Sequence, residues 1–418
     1  MAHINYNRNV LYARQQRLEN LLPWENLGAS FAVLCGNSEQ RRAAGLQGIR
    51  RCCGHKGIVV LQNDPLLAGA VSRLRNEMPE LAERCPWFRT YSVNPAGSQE
   101  RYYDPLYGLS FSAVLDAIAP TDGSGYNLTS VLPLHNYLTG YLKIMEGEFR
   151  RDPTPFGRYP FSLDLLLQLT QMSPYQLKQK VLRYLPQTDR AQITALLSAD
   201  GAQQQAFAAV QAFATEMEDS LWTFRGFGGH TRVSIVEAVR QRCVISVTIP
   251  SSRPSVLRYI YQELKTLKEA QDDFLLVVSG VPLANSPELR HLFIDPHEAA
   301  DYSTGVLASD LSHVIMDQSE VAPFLAEHHE VLIFSCASSQ QAAPFSDALG
   351  TYQRMVMEEH TDRRRQPFHI FSDHGYGTGV REVTEHNINV QELLSLNEGA
   401  VLCGSLYIAP IIIHRVIL

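Results

Sequence analysis

The sequence lacks several features that would assign it to a protein class. Its seven cysteines form no C-x-x-C pair, which excludes the usual zinc-site spacing and a disulfide framework. Acidic residues outnumber basic ones, with 43 Asp and Glu against 36 Lys and Arg, and the net charge is −7. This charge excludes a generally cationic nucleic-acid binder. No apolar run approaches the roughly 20 residues that a membrane-spanning helix needs. We therefore expect a cytoplasmic protein with reduced thiols and no membrane insertion.

Motifs of hydrolytic enzymes and of metal sites are missing as well. The chain contains neither a G-x-S-x-G nucleophile turn nor an H-E-x-x-H zinc helix. Cys52, Cys53 and His55 are possible ligand types, but adjacent cysteines do not easily share one tetrahedral ion. The run Glu327-His328-His329-Glu330 is predicted to be a solvated helix surface. The sequence thus predicts no metal site.

The main feature that the chain does contain is a series of continuous apolar runs that alternate with helical segments. Such runs are typical of central parallel strands buried on both faces, so the pattern predicts an α/β fold with a mostly parallel central sheet. Gln341 to Met357 is predicted to be a helix, and the glycines that follow Asp373-His374 are predicted to form a turn between strands. The strand candidates are Phe31–Leu34, Gly57–Leu61, Trp87–Val93, Val244–Ile249, Phe274–Val278, Gly305–Ala308, Val331–Phe334, Val401–Cys403 and Ile408–Val416.

The middle of the chain has a different, purely helical pattern. Ser173-Pro174-Tyr175-Gln176 has the form of a capping box with proline at the first helical position, and Asp189 to Gln192 predicts the start of a further helix by the same logic. The segment rich in Ala and Gln before Trp222 favours another helix. The α/β part is therefore predicted to be interrupted by an all-α insertion. The predicted division is an N-terminal helical segment (1–28), a first α/β half (29–128), the all-α insertion (129–225) and a second α/β half (226–418).

The segment that follows the first strand has the layout of a phosphate-binding loop without its chemistry. A working loop reads G-x-x-x-x-G-K-[ST], in which backbone N–H groups, a Lys and a hydroxyl hold the phosphates and Mg²⁺. When Gly36 is taken as the first glycine, Arg41 replaces the second glycine, Arg42 the Lys and Ala43 the hydroxyl. The candidate anion-binding positions are Gly36, Asn37, Ser38, Arg41, Arg42 and Ala43.

The order of the segments resembles the FtsK–HerA superfamily of P-loop motor ATPases, most closely the type IV coupling proteins of conjugation and secretion (the TraD/TraG type). The resemblance implies a RecA-like domain interrupted by an all-α domain. The similar segments are the Gly36 loop, Ile58–Pro65 with its terminal Asp-Pro, Tyr103–Gly108 with Leu115–Ile118, the strand Phe274–Val278 at the Walker B place, Leu332–Phe334, and Glu392–Leu396 with Gly399-Ala400.

The departures from this family are concentrated where it hydrolyses ATP. The Walker B strand should end in Asp-Glu, but here Ser279 and Gly280 follow it and are the remaining candidate nucleotide-site residues. The strand that usually carries a polar sensor is matched to Gly305–Ala308, followed by Ser309-Asp310. Phosphoryl transfer depends almost entirely on positioned cations and metal, so the joint loss of Lys, hydroxyl and both acids implies the loss of catalysis.

The resemblance and its departures imply a pseudo-ATPase with no catalytic residue. Such a protein would act as a scaffold or adaptor subunit of a conjugation, secretion or DNA-translocation assembly, alongside other protein subunits that include an active ATPase, and it could form oligomers. No cofactor is expected, although residual ATP binding at the loop stays open. One alternative is an ATP-hydrolysing DNA translocase with an unorthodox site that uses Arg42 and acids among Asp64, Asp104 and Asp310. Another is a nucleic-acid-binding module without nucleotide.

Overall fold

The structure is a computed structural model that describes residues 30–93, 102–120, 128–198, 201–221, 232–250, 256–283, 286–294, 302–315, 317–363 and 374–416. The predicted N-terminal helical segment 1–28 lies outside these residues. The chain forms two compact units. Of the described residues, the first contains Phe31–Ala44 and those from Ser309 onward, and the second contains those of Gly45–Ala308; each unit is described below by itself.

The predicted mixed α/β fold with mostly parallel strands is confirmed. Within the described residues, the antiparallel pairs are those of Ala400–Cys403 with Glu330–Ile333 and with Ile411–Ile413, and those of a separate ribbon, whereas the other pairs run parallel. The strands are β1 (Phe31–Leu34), β2 (Gly57–Gln62), β3 (Thr90–Val93), β4 (Tyr102–Tyr103), β5 (Arg232–Val233), β6 (Val244–Thr248), β7 (Phe274–Ser279), β8 (Tyr302–Ala308), β9 (Glu330–Ile333), β10 (Thr351–Arg363), β11 (His374–His386), β12 (Ala400–Cys403) and β13 (Ile411–Ile413).

The helices of the described residues connect these strands or lie in the helical stretch. They are α1 (Ser38–Cys52), α2 (Pro65–Glu77), α3 (Pro79–Arg84), α4 (Phe111–Ile118), α5 (Leu128–Arg151), α6 (Leu163–Thr170), α7 (Pro174–Tyr184), α8 (Gln187–Leu196), α9 (Ala202–Leu221), α10 (Ile235–Arg240), α11 (Val256–Glu269), α12 (Pro287–Ile294), α13 (Val321–Glu327), α14 (Ser339–Ala348) and α15 (Val390–Leu394). None of them combines the length and the apolar character that crossing a bilayer requires.

In the first unit the strands follow the order β13-β12-β9-β1. Strand β1 pairs in parallel with β9, with Phe31 opposite Glu330 and Leu34 opposite Ile333. All four residues of β1 are buried because they pack inside the α/β layers. Helices α13, α14 and α15 accompany these strands, and Ser346 of α14 donates to the carbonyl of Ile388 at 2.8 Å.

In the second unit the strands follow the order β8-β7-β2-β6-β3, all in parallel pairs. Strand β2 is buried along its whole length, as expected for a central strand with both faces covered. Helices α4 to α9 follow one another between β4 and β5 and form the helical stretch of this unit. The capping box at Ser173 and Gln176 that the sequence predicts is present at the start of α7.

Two segments differ from the sequence predictions. The helix predicted for Gln341 to Met357 ends at Ala348, because Gly350 adopts φ = +82° and the chain then enters β10. The glycines after His374 do not form a turn, since Gly375, Gly377 and Gly379 lie within β11 and pair with β10. Together β10 and β11 form a separate two-stranded antiparallel ribbon.

The run of Glu and His residues before β9 also differs from its prediction as a solvated helix surface. His328 is fully buried, with its Nδ1 2.8 Å from the carbonyl of Phe324 and its ring 4.4 Å from the Phe324 ring. Glu330 is 1% exposed because it begins the buried strand β9, and it accepts a bond from Tyr407 at 3.3 Å. Within the described residues no group of His, Cys, Asp and Glu has the arrangement of a metal site.

Candidate functional site

The loop that follows β1 is short and turns sharply. Cys35 and Gly36 both have left-handed backbone conformations, with φ of +61° and +63°. Helix α1 begins at Ser38, only two residues after Gly36. A working phosphate loop keeps four residues between its glycines outside the helix, so that their N–H groups converge on the phosphates. Here most of that stretch is already helical.

Several N–H groups of this loop are engaged within the protein. Gly36 donates its N–H to the carbonyl of Ser335 at 3.0 Å. Asn37 and Gln40 exchange bonds between backbone and side chain, at 3.0 and 2.8 Å, and thereby cap α1. The N–H of Arg41 donates to the carbonyl of Asn37 at 3.2 Å. Four donors that could face a phosphate are therefore already satisfied.

The arginines at the start of α1 have different positions. Arg41 turns back to the loop and donates to the carbonyls of Cys35 and Gly36, at 3.0 and 2.5 Å. Its guanidinium therefore stabilises the left-handed turn instead of projecting from it. Arg42, at the place of the family's Lys, is half-buried, as is Ala43. Glu39 in the first turn of α1 adds a negative charge that disfavours anions at this helix end.

Gly36→Ala is expected to destabilise the protein by about 2 kcal/mol or more, because alanine disfavours a left-handed φ. The new Cβ would also lie 2.6 Å from the Cβ of Phe334 and 2.8 Å from the Gln40 side-chain oxygen. Gly201→Ala is the matched control, since Gly201 has φ = +74° but no atom within 4 Å of the position that its Cβ would take. Urea denaturation should show a larger loss for the first variant. Equal losses would contradict the contact with Phe334.

Two buried thiols meet at the base of this loop. Cys35 and Cys336 are 2% and 4% exposed, and their sulfurs lie 3.4 Å apart, within hydrogen-bonding distance. The hydrogen bond with Cys336 and burial raise the pKa of Cys35. The hydrogen bond with Cys35 lowers the pKa of Cys336, so that Cys336 ionises first. Local sequence patterns do not predict this pair, because the two residues are far apart along the chain.

A cavity of about 360 Å³ lies beside the start of α14 in the same unit. Its wall includes Asp310, Asp317, Gln341 and Phe345. Both aspartates act locally as helix caps, since each accepts a bond from the backbone N–H two residues later, at 2.9 Å for Asp310 and 3.0 Å for Asp317. Asp310 is exposed, and its cap stabilises the first turn of a short 3₁₀ segment.

The strand end that the sequence resemblance matches to Walker B belongs to the second unit. Strand β7 ends at Ser279, whose carbonyl accepts a bond from the N–H of Asn63 at 3.0 Å. Gly280 follows with φ = +65° and is exposed. Asp64, after the neighbouring strand β2, caps α2 by accepting from the N–H of Leu66 at 2.9 Å. Ser279 and Gly280 thus supply no carboxylate at the end of β7, where the sequence resemblance expects Asp-Glu.

Asp104 is a buried carboxylate at the point where the chain enters the helical stretch. It accepts bonds from the N–H groups of Leu106 and Leu163, at 3.0 and 3.1 Å. Arg232, which follows the helical stretch, lies 3.8 Å from Asp104 and 2.9 Å from Asp164. Burial, with the nearby Asp164, raises the pKa of Asp104 to about 6, and Arg232 opposes this shift.

Glu263 of α11 forms a second buried acidic centre in this unit. Its side chain is fully buried and accepts the Tyr103 hydroxyl and the N–H of Ile235, the latter at 2.8 Å. Burial raises the pKa of Glu263 to about 8, against the effect of these hydrogen bonds. The bonds join the strand before the helical stretch, the segment after it and α11. No sequence pattern predicts this centre, because its members come from three distant segments.

The similarity of this chain to known proteins lies in structure. No protein-family model matches the sequence, and no curated protein matches it. Among solved structures, the chain is similar to VirB4 of Thermoanaerobacter pseudethanolicus, with a TM-score of 0.44 and 11% sequence identity over 93% of this chain and 89% of that chain.

Proposed function

We propose that this chain is a pseudo-ATPase that acts as a scaffold or adaptor subunit in a conjugation, secretion or DNA-translocation assembly. The observation that carries the proposal is the state of the loop after β1. Four of its N–H donors have partners within the protein, and Arg41 donates to the loop's own carbonyls. To bind phosphates, the protein would have to break these bonds without gaining the Lys or the hydroxyl that a working loop provides.

The three acids that the alternative translocase hypothesis would use have other roles in the structure, which supports the same proposal. Asp64 and Asp310 cap helical segments, and Asp104 is buried against backbone N–H groups and Arg232. A residue that binds Mg²⁺ through water must present carboxylate oxygens to solvent at the strand ends. Asp104 fails this requirement because it is buried. Asp64 is half-buried and Asp310 is exposed, but each has one carboxylate oxygen engaged in its cap.

A non-catalytic subunit has a physical reason to keep such a fold. We expect its α/β layers to keep faces that pack against similar subunits, because such faces do not depend on hydrolysis. We therefore expect the partners to be protein subunits of the assembly, including an active ATPase. A direct role for DNA would require contacts that the net charge of −7 does not favour over the whole chain.

Titration of ATP–Mg²⁺ into the purified protein is expected to give no saturable heat and no phosphate release above the protein-free background. Arg42→Ala is expected to behave identically, because no phosphate binding is expected at its position. Turnover that disappears in Arg42→Ala would refute the pseudo-ATPase proposal. A salt-dependent mobility shift with duplex or single-stranded DNA would instead favour the nucleic-acid-binding alternative.

A further inference from the structure

The Cys35–Cys336 pair has a placement that the proposed function does not use. The residues are separated by 301 positions along the chain, yet their sulfurs are 3.4 Å apart. A disulfide needs about 2.05 Å between its sulfurs, so an approach of only ~1.4 Å would bond them. All seven cysteines of the protein are thiols in this structure.

The backbone around both residues is held in place from either side. The N–H of Phe334 donates to the carbonyl of Leu34 at 2.9 Å, and the N–H of Gly36 donates to Ser335 at 3.0 Å. The N–H of Cys336 itself donates to the carbonyl of Leu393 at 3.0 Å. The two side chains are therefore fixed in register beyond the ends of β1 and β9, and their encounter does not require a rearrangement of the strands.

We propose that Cys35 and Cys336 form a reversible disulfide modification site, oxidised by a peroxide, at the base of the loop after β1. Although both thiols are buried, each lies close to exposed chain, with Asn37 two residues after Cys35 and Ala337 directly after Cys336. A small oxidant therefore has only a short distance to cross. The bond would fix the left-handed turn at Cys35 and Gly36 to the segment after β9.

The oxidation is balanced with one molecule of hydrogen peroxide. The thiolate of Cys336, whose pKa is lowered, attacks a peroxide oxygen. An S–O bond forms, the O–O bond breaks, and the departing hydroxide takes a proton to become water. The sulfur of Cys35 then attacks the sulfenic sulfur, so the S–S bond forms and the S–O bond breaks. The second hydroxide leaves with the thiol proton of Cys35 as water.

The test is oxidation of the full chain with hydrogen peroxide, followed by alkylation under denaturing conditions and peptide mapping without reduction. We expect the oxidised protein to lose two alkylatable thiols of its seven and to yield one cross-linked peptide that contains Cys35 and Cys336. Dithiothreitol should restore both thiols. The thermal midpoint should rise by several degrees on oxidation, because the bond closes a long segment in the unfolded chain.

Variants separate this pair from the other buried thiols. Neither Cys35→Ser nor Cys336→Ser should yield a cross-linked peptide after peroxide. Cys35→Ser should stop at the sulfenic acid of Cys336 and lose one thiol, and Cys336→Ser should keep its six, whereas Cys53→Ser, which alters another buried cysteine, should still lose two. The proposal is overturned if the wild-type protein keeps all seven thiols, or if its cross-linked peptide joins other cysteines such as Cys52 and Cys53. The peptide map of the wild-type protein decides this even if a variant does not fold.

Discussion

Replacing Arg232 with alanine is expected to lower the free energy of unfolding by about 3–5 kcal/mol, because it leaves the buried carboxylate of Asp104 and the largely buried carboxylate of Asp164 without their cation. Arg232 donates to both oxygens of Asp164, at 3.1 and 2.9 Å, and lies 3.8 Å from Asp104. The side chains of Asp104 and Asp164 are 9% and 15% exposed, so water replaces little of the lost interaction. Denaturation in urea would measure the loss.

The matched control is Arg73→Ala, which removes an ion pair in the same unit. Arg73 lies 3.6 Å from Glu77, and the two side chains are 63% and 36% exposed. Exposed pairs contribute at most about 1 kcal/mol, so this variant should be nearly as stable as the wild type. Equal and small losses for both arginines would show that the Arg232 cluster is not what holds the two ends of the helical stretch.

The loss in Arg232→Ala should also depend on pH. The folded-state pKa of Asp104 is about 6, raised by burial, and Arg232 lowers it. A carboxyl with a raised folded pKa makes its full contribution to stability below its unfolded pKa and loses it as pH rises through the folded pKa. Without Arg232 the folded-state pKa of Asp104 rises further, so the pH range over which this stability is lost extends to higher pH. The difference between variant and wild type should therefore be smaller at pH 5 than at pH 8.

Glu263→Gln is expected to remove much of the pH dependence of stability between pH 5 and 8. Glu263 has a folded pKa of about 8 because it is buried, whereas an unfolded Glu titrates at about 4.3. Between these values the folded state holds a proton that the unfolded state has released. The wild-type free energy of unfolding should thus fall by about 1.4 kcal/mol per pH unit as pH rises through this window.

Glutamine remains neutral and can still accept from Tyr103 and Ile235. The variant should match the wild type near pH 5 and exceed it near pH 8, with a residual slope below pH 6 from Asp104. Glu269→Gln, at an exposed position of the same helix, is the control and should leave the wild-type slope unchanged. Denaturant melts at several pH values would measure the slopes. A Glu263→Gln protein that keeps the full slope would disprove the assignment.

Local patterns are sufficient to locate the buried strands. Runs such as Phe31–Leu34 and Phe274–Val278 agree with β1 and β7 to within a residue, because strands buried on both faces are continuously apolar. The capping box at Ser173 is predictable for a similar reason, since all its partners lie within four residues. The helix start predicted at Asp189 is wrong by two residues, because α8 begins at Gln187, directly after Pro186.

Long-range arrangements cannot be predicted in this way. The ribbon of β10 and β11 is not apparent in the sequence, because an isolated ribbon need not be apolar along its length and the helical pattern after Gln341 extends into it. The loop at Gly36 is predictable as a turn after a strand. Its bond to Ser335, and the meetings of Cys35 with Cys336 and of Tyr103 with Glu263, depend on partners more than a hundred residues away in the chain.

The parallel pairing of β1 with β9 has a consequence for how the protein is made. Phe31 pairs with Glu330, so the first strand leaves the ribosome long before its partner has been synthesised. At about 5–20 residues per second, that interval is roughly 15–60 s. Strands β2, β3, β6, β7 and β8 are all translated within this interval. The second unit can therefore assemble during synthesis, while the apolar segment Phe31–Leu34 needs protection from aggregation until β9 has been synthesised.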